Sequence, residues 1–372
     1  MTKGLKLLVF VLVVSLGIAP AGVIAQQSDD DDTPLSRLWD QVHAQPNDFG
    51  VACMPVDDPS GMVLYNETEV FPLASVSKLL VLLEYARRVD DGTLTLSEMV
   101  PLDDLNRYDV PATNSGAHDR FLEEYPTDIT SISLWAIAAK GMVQYSSNAA
   151  ADYMLARLQP MDWGSLYDSL GLTNTGYPMY FGVIAMLMGN HETGQVTLAD
   201  VPSLSVEQAE TDFDLYLTDD SWRAAEITYH SARQQVPSDW EAQALILQKY
   251  TVTGTPQDWL KIMEAIYGAN SPLSDRVKQL ARSALRWDNN EYIDGMYAEY
   301  GSKLGFYSGG TLTLVAYGQP LYGRPVISAT FFRNLPRPIY RQMRQDDSIG
   351  ELAHWMNFNV CTGLVEAINQ SY

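Results

Sequence analysis

Strand-like runs occur only near the two ends of this chain, and helical patterns fill the long interval between them. "FGVACMPV" and "GMVLYNE" (residues 49–56 and 61–67) are joined by "DDPSG", whose turn chemistry predicts a hairpin. "AEYGSKLGFY", "TLTLVAYG" and "RPVISATFFR" follow some 230 residues later, within 298–333. Strands that far apart can share one core only if the ends meet. The expected fold class is therefore α+β: one antiparallel sheet built from both chain ends, flanked by helices, with an all-helical domain inserted between.

The helical expectations are a short helix "PLSRLWDQVHAQ", one from about Ser75 to Val89, and one from about Ser348 to Ile368. Between them lie "ISLWAIAAKGM", "SNAAADYMLARL", "TPQDWLKIMEAIYG" and "SPLSDRVKQLARSALRW"; Thr255-Pro256 opens the third as a helix-entry signal. Residues 178–250 mix an apolar run with acidic loops and follow no single period. The domain reading is a sheet part, 35–74 plus 295–372, and a helical part, 75–294, with 178–250 unplaced.

The N-terminus reads as an export signal. Lys3 and Lys6 precede "LLVFVLVVSLGIA" and "AGVIAQQ", which predicts cleavage after Ala25, then an acidic linker over 26–34. Cleavage removes two lysines and takes the formal charge from −22 to −24. A chain this acidic is not built to grip nucleic acid, and it meets a membrane only if the signal stays uncleaved. The expectation is an exported monomer. Cys53 and Cys361 allow either a disulfide tying the chain ends together or two buried thiols.

Chemistry first shows in "FPLASVSKLLVLLEYARRVDDG". Ser75 and Lys78 are one helical turn apart and face the same way. A lysine in apolar surroundings loses solvation for its charged form, and the neutral amine can take a serine proton. Alone, the spacing equally describes a helix N-cap serine beside a snorkelling lysine. "YSSN" places Ser146 and Asn148 at the head of a second helix. "GSKLG" places Lys303 and Gly305 on a strand, where glycine permits close backbone approach. No Gly-x-Ser-x-Gly elbow occurs, and the five histidines have no metal-ligand spacing, so no cofactor or metal is expected. Asn66-Glu67-Thr68 fits a glycosylation pattern and equally a plain loop.

In order and context the three motifs match the S-x-x-K, S-D-N and K-T-G set. The chain thus resembles the class A β-lactamase-like and penicillin-recognising serine hydrolases, broadly over 50–175 and 250–370. The resemblance implies Ser75 as acylated nucleophile, Lys78 as its activating partner and Ser146 as proton relay. It implies substrate contacts from Asn148, Lys303 and Gly305. The oxyanion would meet the backbone N–H groups of Ser75 and Phe306. The substrate would be a cyclic amide, small molecule or peptide. Three departures stand out: Ser147 replaces the usual aspartate, Leu304 replaces a hydroxyl residue, and no Glu-x-x-Leu-Asn run supplies a deacylating base. Glu192 is the nearest candidate acid, and Tyr177, Tyr180 or Trp222 could line an enlarged cleft. The alternatives are a D,D-peptidase-like or penicillin-binding protein with slow deacylation, and a non-catalytic binding or sensor protein.

Overall fold

The computed structural model describes residues 33–370, apart from 234–238 and 288–289. The export signal, and the linker through residue 32, lie outside the described residues.

Both chain ends build one five-stranded sheet, as the pattern predicts. Its strands are β1 (Phe49–Pro55), β2 (Val63–Tyr65), β3 (Tyr297–Tyr307), β4 (Thr311–Pro320) and β5 (Val326–Phe332). They run in the order β2-β1-β5-β4-β3, every neighbour antiparallel. The long return connection puts β3 at an edge, so alternate backbone groups of β3 point away from the sheet.

The sheet is buried on both faces. Phe49, Val51 and Cys53 of β1 alternate onto one face, Ala52 and Met54 onto the other. The first face is covered by helix α1 (Pro34–Ala44) and the C-terminal helices. Across the other lie α2 (Lys78–Asp90), α3 (Asn148–Arg157), α4 (Phe181–Leu187), α5 (Val206–Thr218), α6 (Asp220–Arg233), α7 (Pro256–Tyr267) and α8 (Asp275–Leu285). The Thr255 side chain caps α7 by accepting from the Asp258 N–H, with Pro256 in the first turn, as its sequence signal predicts.

Several expectations need correction. The predicted C-terminal helix is two, α10 (Ser348–Asn359) and α11 (Leu364–Asn369), preceded by α9 (Arg337–Gln345). Val360, Cys361 and Gly363 all take positive φ, which ends α10 and turns the chain. That turn delivers Cys361 to Cys53, and the two form a disulfide with Cα atoms 5.8 Å apart. The middle of the chain is not all helical. Met99–Pro101 pairs with Ser131–Ser133, and Phe71–Pro72 pairs with Thr253–Gly254. Residues 136–144 form a π-helix, which periodicity could not distinguish from an α-helix.

The unplaced segment resolves into α4, α5 and α6 and a further helix, Trp240–Tyr250. It shares the main core through Phe181, Ile184, Phe213 and Tyr216. Its polar interior is paired: Glu226, fully buried, lies 2.7 Å from both His191 Nδ1 and His230 Nε2. The Asn66 amide donates to the carbonyls of Pro46 (2.8 Å) and Phe49 (2.7 Å), which gives that side chain a structural task. Among the described residues, no helix is long and apolar enough to cross a membrane. Nor does any described cluster of His, Cys, Asp and Glu have the makings of a metal site.

Candidate active site

The helix bearing Ser75 starts differently from the expectation. Residues Ala74–Ser77 form a 3₁₀ turn, and the α-helix proper begins at Lys78. Ala74 holds φ of +48°, a strained conformation for a residue with a Cβ. The tight turn leaves Ser75 at the mouth of a cleft and Lys78 fully buried behind it.

Four oxygens surround the Lys78 amine. Nζ lies 2.7 Å from the Ser146 carbonyl, 2.8 Å from Asn148 Oδ1, 3.1 Å from Ser75 Oγ and 3.3 Å from Ser146 Oγ. The first two oxygens can only accept, so two N–H groups go to them. In the neutral amine the remaining position is the lone pair, free to accept the Ser75 hydroxyl proton. Burial, and then the charge of Lys303, hold this amine well below the usual ammonium range; Asp152 opposes them.

The 146–148 turn is held from several sides. The π-helix hands over through Tyr145 N–H to Lys140 O (2.9 Å) and Ser147 N–H to Gly141 O (2.8 Å). Ser147 caps α3 by accepting from the Ala150 N–H. Ser146, between them, holds φ of +63°. Its carbonyl and the Asn148 amide oxygen thereby both face Lys78.

Lys303 reaches the site from edge strand β3. Its Nζ donates to the Val143 carbonyl (2.8 Å), and burial brings its pKa down to about 7. That bond ties β3 to the end of the π-helix. Gly305 has a clear physical reason. A Cβ there would sit 2.4 Å from Thr313 Oγ1, 2.7 Å from Leu73 O and 2.9 Å from Val76 N. Glycine therefore lets β3 pack directly on the Ser75 turn, and the Thr313 hydroxyl ties the two by donating to Leu73 O (2.9 Å). Gly305→Ala is expected to destabilise the fold by about 1–3 kcal/mol and to slow acylation of Ser75 at least tenfold. Denaturant midpoints and labelling rates measured on the same preparation check both.

Phe306 lies along the same cleft as Ser75, Ser146, Asn148 and Lys303. The cleft is cationic in a strongly acidic chain: Arg120, Lys303 and Arg344 line it, with Asp347 as the one acid among the described lining residues. The Arg344 guanidinium stacks on the Phe306 ring, 3.5 Å from its centroid.

Other expected residues do not converge. Glu192 is exposed in a loop, where its carboxylate accepts from Trp222 Nε1 (3.3 Å), and it is no part of the cleft lining. Tyr177 packs on Tyr167, Tyr180 on Phe213 and Trp222 on His191, all away from the cleft. The segment 178–250 contributes Phe181 instead. Its ring lies 4.2 Å from Lys78 Nζ and closes off the amine. Nothing in the pattern of that segment marked Phe181.

Asp152 had a signal that went unread: it sits one helical turn beyond Asn148, on the same face. Its carboxylate accepts from the Phe181 and Gly182 N–H groups, both at 2.7 Å, and so caps α4. Burial pushes its pKa up to about 7 against those two bonds and the nearby Lys78.

A model described as the beta-lactamase enzyme family matches residues 35–353. A variant of the class A beta-lactamase of the last common ancestor of Gram-negative bacteria is 19% identical, with a TM-score of 0.51. The match covers 86% of this chain and 95% of that one. An ancestral class A beta-lactamase is 17% identical with a TM-score of 0.51, covering 85% and 97% of the two chains. PBP-A, solved as an acyl-enzyme complex with penicillin G, is 17% identical with a TM-score of 0.50, covering 86% and 96%. At such identities the likeness shows the fold. No curated protein matches the chain.

Proposed function

The chain belongs to the beta-lactamase enzyme family, and from that premise we propose that it opens β-lactams or related amides through an acyl-serine at Ser75. One observation carries this reading: a buried amine with two hydrogens committed elsewhere faces the Ser75 hydroxyl at 3.1 Å.

The steps follow from that arrangement. Lys78 Nζ accepts the Ser75 proton as Oγ attacks the amide carbonyl. The backbone N–H groups of Ser75 and Phe306 receive the negative charge on the carbonyl oxygen. The C–N bond then breaks, and the leaving nitrogen takes the Ser146 hydroxyl proton. Lys78, 3.3 Å away, returns its extra proton to Ser146. An ester at Ser75 and a neutral Lys78 remain. Asn148 and Lys303 hold the substrate, Lys303 as the cation for a carboxylate; Gly305 lets β3 approach.

A second reading, a penicillin-binding or D,D-peptidase-like protein that releases its acyl group slowly, has its own support. Water needs a base to attack the ester. Yet Phe181 covers Lys78, Asp152 is committed to two N–H groups, and no glutamate is among the described lining residues. We therefore expect acylation to outpace deacylation. Export is part of the proposal, supported by the disulfide, which suits an oxidising compartment. So is action as a monomer on a small molecule or peptide.

Intact-mass spectrometry with penicillins, cephalosporins and D-Ala-D-Ala peptides tests this, alongside nitrocefin turnover. The expected result is a β-lactam adduct on the wild type, absent from Ser75→Ala, with slow nitrocefin hydrolysis. Rapid turnover without accumulated adduct would favour the hydrolase reading over slow release. No adduct and no turnover would leave the non-catalytic binding protein.

A further inference from the structure

One buried histidine lies outside the steps above yet touches the motif that serves them. His118 is 3% exposed and has both ring nitrogens engaged by side chains. Nε2 is 2.9 Å from Asn106 Oδ1 and Nδ1 is 2.9 Å from Ser147 Oγ. An amide oxygen only accepts, so Nε2 carries the proton. Nδ1 is then the bare nitrogen and accepts the Ser147 hydroxyl proton. The lone pairs of that hydroxyl stay free for the Ala150 N–H at 3.1 Å. Both ring nitrogens are satisfied in this arrangement.

Ser147 is fully buried and stands between the two residues that face Lys78. Its neighbour Ser146 is strained, and strained backbone persists only where its surroundings over-determine it. We propose that His118 is a positioning residue for acylation: through Ser147 it locks the turn that aims the Ser146 carbonyl and the Asn148 amide at Lys78. It rests on the reading of Ser75 as the acylated serine.

Asn106, the other end of the brace, is anchored by the segment that the sequence left unplaced. Arg223 of α6 donates to the Asn106 carbonyl (3.1 Å) and to the Arg107 carbonyl. Arg107 in turn pairs with Asp220 (2.9 Å) at the head of α6. The inserted helices therefore hold the brace that holds the catalytic turn.

The test compares His118→Phe, His118→Asn and Ser147→Ala with the wild type. Asparagine keeps an acceptor near the Nδ1 position; phenylalanine keeps the ring volume without one. The acylation rate constant with a fluorescent penicillin is expected to fall about 10–100-fold in His118→Phe and Ser147→Ala. Noncovalent affinity should stay within about twofold, and His118→Asn should recover most of the rate. The His118→Phe/Ser147→Ala double variant should lose clearly less than the two single losses multiplied together, because both remove the His118–Ser147 contact. A second readout needs no acylation: titration of Lys78, followed by NMR of its side-chain carbon, should shift in His118→Phe, while Lys303 should not. Additive losses, a folded His118→Phe acylating at the wild-type rate, or an unmoved Lys78 titration would each overturn the proposal. If the wild type is never acylated, the reading of Ser75 fails instead, and the Lys78 titration still decides the brace.

Discussion

Lys78→Met is expected to slow acylation of Ser75 by about 10²–10⁴-fold, the range that a positioned base contributes. Methionine is unbranched and fills nearly the same space, so the change removes the lone pair with little repacking. It also removes a buried amine whose desolvation opposed folding, while leaving Ser146 O and Asn148 Oδ1 short of a donor. An orphaned buried acceptor costs about 1–3 kcal/mol. The two effects oppose each other, so stability should move little while the rate collapses. The pH dependence carries the same argument. In the proposed mechanism Lys78 acts as its neutral amine, and its pKa is held well below the usual ammonium range. The acylation rate should therefore rise with pH through the Lys78 titration and then level off. Lys78→Arg, charged at any working pH, should be as inactive as the methionine variant. Pre-steady-state labelling by a fluorescent penicillin measures both. A methionine variant within tenfold of the wild type would end the assignment of Lys78 as the base.

Removing the Cys53–Cys361 disulfide is expected to cost roughly 2–5 kcal/mol of stability. The bridge spans 308 residues, so it constrains almost the entire chain in the unfolded state. The chain-entropy model gives about 6 kcal/mol as its limit for such a loop, and relaxation in the folded state reduces this. The bond lies in the core of that face, in one cluster with Val51, Leu352 and Leu364, and neither cysteine lines the Ser75 cleft. Cys53→Ala/Cys361→Ala should therefore shift the denaturant midpoint strongly yet leave the acylation rate within about twofold. Unfolding curves in the presence and absence of reductant give an independent measure on the wild type. An unchanged midpoint would mean that α10 and α11 hold to the sheet by packing alone.

The chain announces these features unevenly. Ser75 and Lys78 are readable because their relation is local: three residues along a helix fix direction whatever the rest does. The sheet is readable because burial on both faces left long apolar runs at the two ends. The π-helix before Ser146 is hidden because its composition suits an α-helix equally well. The break after Asn359 had a signal in Gly363, but the positive φ of Val360 and Cys361 answers to where the sulfur must reach. Phe181 and His118 carry no local mark. One matters for covering an amine 103 positions earlier in the chain, the other for bonding a serine 29 positions later.

By itself the sequence determined which residues carry reactive groups and which runs must be buried, since both follow from side-chain chemistry and short-range geometry. Only the tertiary structure decided the lowered pKa of Lys78, the lack of a glutamate among the described residues lining the cleft and the partner of Ser147. Those depend on desolvation and on contacts between elements far apart in the chain, and no spacing along it encodes them.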